Sequence, residues 1–143
     1  FRRDNIGIVF QNFHLIPTMT ALENVAIPLE FAGEKDAFAR ARQALETVGL
    51  GARVDHYPGQ LSGGEQQRVA VARAFVTAPK LILADEPTGN LDADTGNRVM
   101  QSLFDLTRQH NTTLILVTHD EDLAAKCDLS VKIRDGRILG AGA

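Results

Sequence analysis

Two largely apolar segments most constrain the fold: residues 80–84 end directly on Asp85 and Glu86, and residues 112–118 end on His119. Neither run alternates polar with apolar residues, so each is expected to be a strand buried on both faces of a parallel sheet. Parallel strands need long crossovers, and helical periodicity supplies them. Residues 36–48 place Ala41, Ala44, Leu45 and Val48 on one stripe, with Gly49 positioned to cap the C-terminus. Residues 65–76 form a second predicted helix, opened by Ser62 and closed before Pro79, and residues 95–109 a third, with Val99, Leu103 and Leu106 aligned. An Ile- and Val-rich strand over 5–10 delivers Gln11 at its end. Between residues 12 and 33 the pattern is irregular, with Pro17 and Pro28 as breakers and one helical turn expected near 20–25. The chain closes differently. Leu129, Val131 and Ile133 alternate with polar residues, and Asp135-Gly136 predicts a hairpin turn into 137–139.

At 143 residues, with 44% hydrophobic and 23% charged residues, the sequence has the profile of one soluble globular domain able to bury its own core. A single cysteine, Cys127, excludes a disulfide scaffold and is expected to pack as a small apolar residue. His14, His56 and His110 have no ligand spacing with one another or with Cys127, so no zinc site is expected. With 15 Lys and Arg against 18 Asp and Glu, the net charge of −3 argues against a general basic surface for nucleic acid. No apolar run approaches the roughly 20 residues of a membrane-spanning helix, so any membrane role must come through a partner. The opening Phe1-Arg2-Arg3-Asp4 lacks the features of a secretory signal, and without an initiator Met it reads as a cut end.

Leu61-Ser62-Gly63-Gly64-Glu65 is the sharpest local signal. A capping box accounts for Ser62 and Glu65 but not for the glycines, each of which costs up to about 1 kcal/mol relative to Ala in a helix. Two in succession suggest that something approaches the backbone closely. A helix N-terminus with free amides is also a phosphate site, and spacing alone does not choose between these roles. Asp85 and Glu86 stand where α/β sheets place ligands, at a strand tip. They could be the solvated start of a loop, or they could divide labour, one carboxylate holding Mg2+ through water and the other polarising an attacking water. Pro87 and Gly89 then turn the chain into Asn90-Leu91-Asp92. Gln11, Asp85-Glu86 and His119, each following an apolar strand, would line one edge of one sheet.

Taken together, these residues resemble the nucleotide-binding domain of ABC-type ATPases over nearly the whole chain. The resemblance implies an α/β P-loop NTPase core with a mostly parallel sheet, a helical subdomain and a C-terminal hairpin. It makes Gln11 the Q-loop glutamine, contacting Mg2+ and attacking water. The run from Leu61 through Glu65, continued by Gln66, Gln67 and Arg68, becomes the signature motif. Ser62, Gly63, Gly64 and Glu65 then face ATP held by a second copy. Asp85 is similarly implied as the Walker B metal ligand, Glu86 as the catalytic glutamate, Asn90-Leu91-Asp92 as the D-loop with Asp92 toward nucleotide, and His119 as the switch histidine at the γ-phosphate. Phe10-Gln11-Asn12-Phe13, Leu15-Ile16-Pro17, Leu22-Glu23-Asn24-Val25 and Pro28 look most like the ATPases serving lipoprotein-release, macrolide-export and cell-division-type permeases, the YbbA-type ATPases among them.

One family element is missing: no Gly-x-x-x-x-Gly-Lys-Ser/Thr occurs, and Gly33-Glu34-Lys35-Asp36 lacks the loop and the hydroxyl. The P-loop is therefore expected N-terminal of Phe1. The chain would then be a partial domain, with the Q-loop and helical subdomain over about 12–78 and the core sheet over 1–11 and 79–143. Alone it is expected to be inactive and to expose uncovered strand faces or edges. The complete protein is expected to bind ATP and Mg2+, dimerise and hydrolyse ATP. In doing so it would drive a transmembrane permease for export or extraction of a substrate, at the cytoplasmic face of a bacterial inner membrane. Residues 12–33 and 36–48, with Phe13, Leu15 and Ile16, would receive the permease. No long coiled coil separates Gln11 from Leu61, which disfavours the DNA-repair and cohesion ATPases. Ribosome-associated ABC proteins and a non-hydrolytic permease-docking module remain alternatives.

Overall fold

The computed structural model describes residues 5–143; the opening Phe1-Arg2-Arg3-Asp4 lies outside the described residues. Strand β1 (Ile6–Val9) pairs in parallel with β2 (Leu81–Asp85), which pairs in parallel with β3 (Thr113–Val117), in the spatial order β1-β2-β3. Parallel pairing brings all three C-terminal ends to one side. That is where Gln11, Asp85-Glu86 and His119 follow their strands.

The register sorts the side chains into two rows. Gly7, Ile82 and Leu114 are neighbours, as are Val9, Ala84 and Leu116, and this row belongs to or packs against the core. The alternate row ends in β3 with Ile115 50% and Val117 55% exposed. Coverage on both faces, expected of the family's sheet, is not seen for β3, whose uncovered face is the one expected of this chain alone. Among the described residues the core lies on one face only, and a run apolar on both sides is half used.

The first crossover is helical, beginning where one turn was expected and running further. Helix α1 (Ala21–Phe31) opens on a capping box, Thr20 Oγ1 accepting from the Glu23 amide at 3.2 Å. It continues through Pro28, correcting the expectation of an irregular connector. An interior proline costs about 3 kcal/mol. Burial of Ala21, Val25, Ala26 and Leu29 on one face offsets it, at about 1.5–3 kcal/mol for each large apolar side chain. Asn24, fully buried, orders the preceding loop by accepting from the Ile16 amide and donating to the Ile16 and Met19 carbonyls.

Helix α2 (Ala37–Thr47) ends as its glycine predicts. Gly49 has φ +79, its amide donates to Glu46 O, and the Leu50 amide reaches back to Leu45 O at 2.8 Å, with both leucines buried. This is a Schellman closure, which only glycine makes without strain. Helix α3 (Gly63–Phe75), capped by Ser62, packs against α1, α2, β1 and α4 (Ala93–Gln109), and buries Val69, Ala70, Val71, Ala72, Ala74 and Phe75. A helix buried this fully is a central strut rather than a surface element. Helix α4 returns the chain to β3, burying Val99, Met100, Leu103 and Leu106.

After the short α5 (Glu121–Ala125), β4 (Ser130–Arg134) and β5 (Arg137–Gly142) form the predicted antiparallel hairpin. Asp135 and Gly136 both have positive φ, the geometry a two-residue turn between right-twisted strands demands. Its apolar side chains, Ile133 and Ile138 included, are exposed.

Candidate active site

Glu86 leaves β2 with φ +44, a left-handed conformation unusual for a non-glycine residue. Its amide donates to Val117 O at 2.8 Å, fixing the turn onto β3. Its carboxylate Oε1 accepts from the His119 amide at 3.0 Å and lies 2.7 Å from His119 Nδ1. Two polar residues at adjacent strand tips are thus brought together as the sequence predicted. The hydrogen bond to Glu86, reinforced by its charge, raises the pKa of the His119 imidazole above its usual value. Because the raised value belongs to the folded state, the pairing is complete below the ordinary histidine value of about 6.5 and is lost as pH rises through the folded-state value. An NMR titration of the His119 ring is expected to show its midpoint above about 6.5, returning toward that value in Glu86→Gln. A wild-type midpoint at or below it would contradict the pairing.

Asp85 closes β2 opposite Val117 and is exposed at the strand tip. Among the described residues no cluster of three His, Cys, Asp or Glu could hold a metal ion. The donor set suits Mg2+, which is commonly held by one or two carboxylates with waters and substrate phosphates completing its shell. Asp85 is the carboxylate that fits.

Gln11 lies on the Gly89 turn, where a Cβ added to Gly89 would overlap the Gln11 side-chain amide. Asn90 holds it there. Asn90 Nδ2 donates to Gln11 O at 3.1 Å and to Asn12 Oδ1 at 2.8 Å, while Gln11 Nε2 donates to Asn90 Oδ1 at 3.4 Å. Sequence reasoning placed Asp92 rather than Asn90 among the site residues. Asp92 caps α4, its carboxylate accepting from the Thr95 amide at 3.1 Å, and hydrogen bonding from the Thr95 side chain, with that from the amide, holds its pKa below the ordinary range. An Asx-type residue three before a helical Thr signals the cap; nothing local signals a contact 79 residues away.

At the start of α3 the capping box is real. Ser62 Oγ accepts from the Glu65 amide at 3.2 Å, and Glu65 Oε1 accepts from the Ser62 amide. Partial burial pushes the Glu65 carboxyl up, but Ser62, Arg53 at 3.3 Å and Arg68 outweigh it and keep the pKa low. The glycines have their own explanation within the chain. A Cβ on Gly64 would overlap Thr95 Cγ2, and one on Gly63 would stand 3.2 Å from Leu91 Cδ2. Gly63 and Gly64 therefore sit beside the 91–95 segment. Among the described residues no hydrogen bond or ion pair joins them to Glu86 or His119. No helix of the described residues is long and apolar enough to cross a membrane.

The ABC transporter family model matches residues 1–89, which include Gln11, the Ser62–Glu65 segment, Asp85 and Glu86. The chain belongs to the ABC transporter family. It is 55% identical over 139 residues to the uncharacterised ABC transporter ATP-binding protein YbbA of Escherichia coli K12, covering 96% of this chain and 61% of YbbA. The lipoprotein-releasing system ATP-binding protein LolD of Geobacter metallireducens is 55% identical over 141 residues, which are 97% of this chain and 63% of LolD. The macrolide export ATP-binding/permease protein MacB of Rhodopirellula baltica is 48% identical over 96% of this chain and 21% of its own. A dimeric post-hydrolysis structure of the ATP-binding cassette MJ0796 bound to ADP and Pi superposes with a TM-score of 0.84 at 42% identity, covering 99% of this chain and 63% of that one. The chain thus spans about three-fifths of the length of YbbA and LolD, and its fold is that of an ABC cassette.

Proposed function

We propose that this chain is the part of an ABC transporter's ATP-binding subunit that activates water and supplies the signature face. In the complete protein, ATP hydrolysis would drive a permease that exports or extracts a substrate at the cytoplasmic face of a bacterial inner membrane. The observation that carries this is the Glu86 carboxylate, fixed at the sheet edge by two contacts from His119. Bound Mg2+ would neutralise charge on the transferring phosphoryl oxygens. Asp85 would hold it through water, with Gln11 at the same metal. Glu86 accepts the proton of the attacking water, and His119 donates toward the γ-phosphate oxygen. Ser62, Gly63, Gly64 and Glu65 open α3 at its positive end, which suits them to the phosphates of ATP held by a second copy. Asp92 would face the same nucleotide.

The phosphate-cradling loop is supplied from outside residues 1–143, so this chain alone does not turn over ATP. Residues 12–78 would form the subdomain that meets the permease, with Ile16 exposed at 38%, and the remainder would form the core. No nucleic acid is involved.

Phosphate release from Mg-ATP by the complete protein tests the proposal. Because two copies build each site, activity per mole should rise with protein concentration and vanish on adding EDTA. Metal-independent turnover, or activity per mole that is flat across the dimerisation range, would contradict it.

A further inference from the structure

Gln67 lies in the second turn of α3 with none of its surface reaching solvent. Its Nε2 donates to Phe10 O at 2.9 Å and also to Pro87 O. Both neighbours are acceptors, so the amide has one orientation, and among the described residues it leaves Oε1 buried without a partner. A buried, unpaired acceptor is a cost that an apolar side chain of the same size would not incur. Packing therefore does not explain a glutamine here. What the amide gains is its two partners: the carbonyl immediately before Gln11 and the carbonyl immediately after Glu86.

The same helix makes a second attachment. Arg73 donates to Phe13 O at 3.1 Å and His14 O at 2.8 Å, so the loop carrying Gln11 is fastened to α3 on both sides. Helix α3 begins at Ser62–Gly64, one turn before Gln67. A continuous helix transmits a displacement of its N-terminus to every side chain along it.

We propose that Gln67 is a positioning residue that ties the N-terminus of α3 to both Gln11 and Glu86, so that seating the signature residues sets the geometry of the water-activating groups. The catalytic consequence rests on the function proposed above; the mechanical link does not.

Gln67→Met keeps the length and removes both donors. In the complete protein it is expected to speed amide hydrogen exchange together in residues 11–14 and 88–91 while α1 and α2 stay protected. It should also lower kcat by about 10–100-fold, the size of effect expected from misplaced groups, with KM nearly unchanged. Faster exchange in only one of the two segments, in neither, or uniformly over the chain would overturn the proposal. So would a change confined to KM. Wild-type protein provides a readout that needs no variant to fold: the two Gln67 Nε2 protons should be slow to exchange with water. Exchange as fast as that of a surface glutamine would overturn the bridge. If wild-type protein fails to hydrolyse ATP, the function proposed above falls, and the exchange measurements still decide whether Gln67 joins the two segments.

Discussion

Glu86→Gln is expected to lower ATP turnover by about 10²–10⁴-fold, the range for loss of a general base. Glutamine preserves the volume of the side chain, and its oxygen still accepts from the His119 amide now 3.0 Å from Glu86 Oε1. What it loses is the ability to take a proton from water and the negative charge that pairs with the His119 ring. Nucleotide affinity should change little, because the carboxylate acts on the attacking water rather than on the bound phosphates. The check is steady-state phosphate release alongside equilibrium nucleotide titration of both proteins. Turnover within threefold of wild type would remove Glu86 from the chemistry.

Gly64→Ala should destabilise the chain by about 1–3 kcal/mol, the usual cost of overpacking a filled site. The new Cβ would fall on Thr95 Cγ2. Thr95 cannot readily turn away, since β-branching leaves it few rotamers in a helix and its amide is already held by Asp92. Thr95→Ser deletes the obstructing methyl, so the double substitution should recover most of the loss as a favourable coupling in a mutant cycle. Urea denaturation of the four proteins measures it. Unchanged stability in Gly64→Ala would mean that the glycine serves only an approaching ligand. Recovered stability without recovered turnover would show that it serves both.

Much of this was legible because the relevant physics is local. The largely apolar segments ending on Asp85 and before His119 announced parallel strands, and Gly49 and Asp135-Gly136 announced a helix end and a turn through the backbone angles they must adopt. Ser62 and Glu65 announced a cap three residues apart. Other features were hidden because their causes are distant in sequence. Pro28 reads as a breaker until the packing of Val25 and Leu29 is counted against it. Asn90 resembles any turn asparagine until Gln11 arrives from the end of β1. Gln67 looks like one polar residue of a helix, yet it is fully buried, with its partners 57 and 20 positions away. The apolar character of β3 and an uncovered strand face were both legible, whereas which residues it would expose, Ile115 and Val117, depends on where the helices lie.

The central claim is that residues 1–143 hold the water-activating groups while the nucleotide's phosphates are gripped elsewhere in the protein. Titrating a fluorescent ATP analogue with Mg2+ into this chain, and into one extended N-terminally through a phosphate-binding loop, tests it most directly. Saturable binding by the extended chain alone is the predicted result; equal affinity for both would contradict it and place a nucleotide site within these 143 residues.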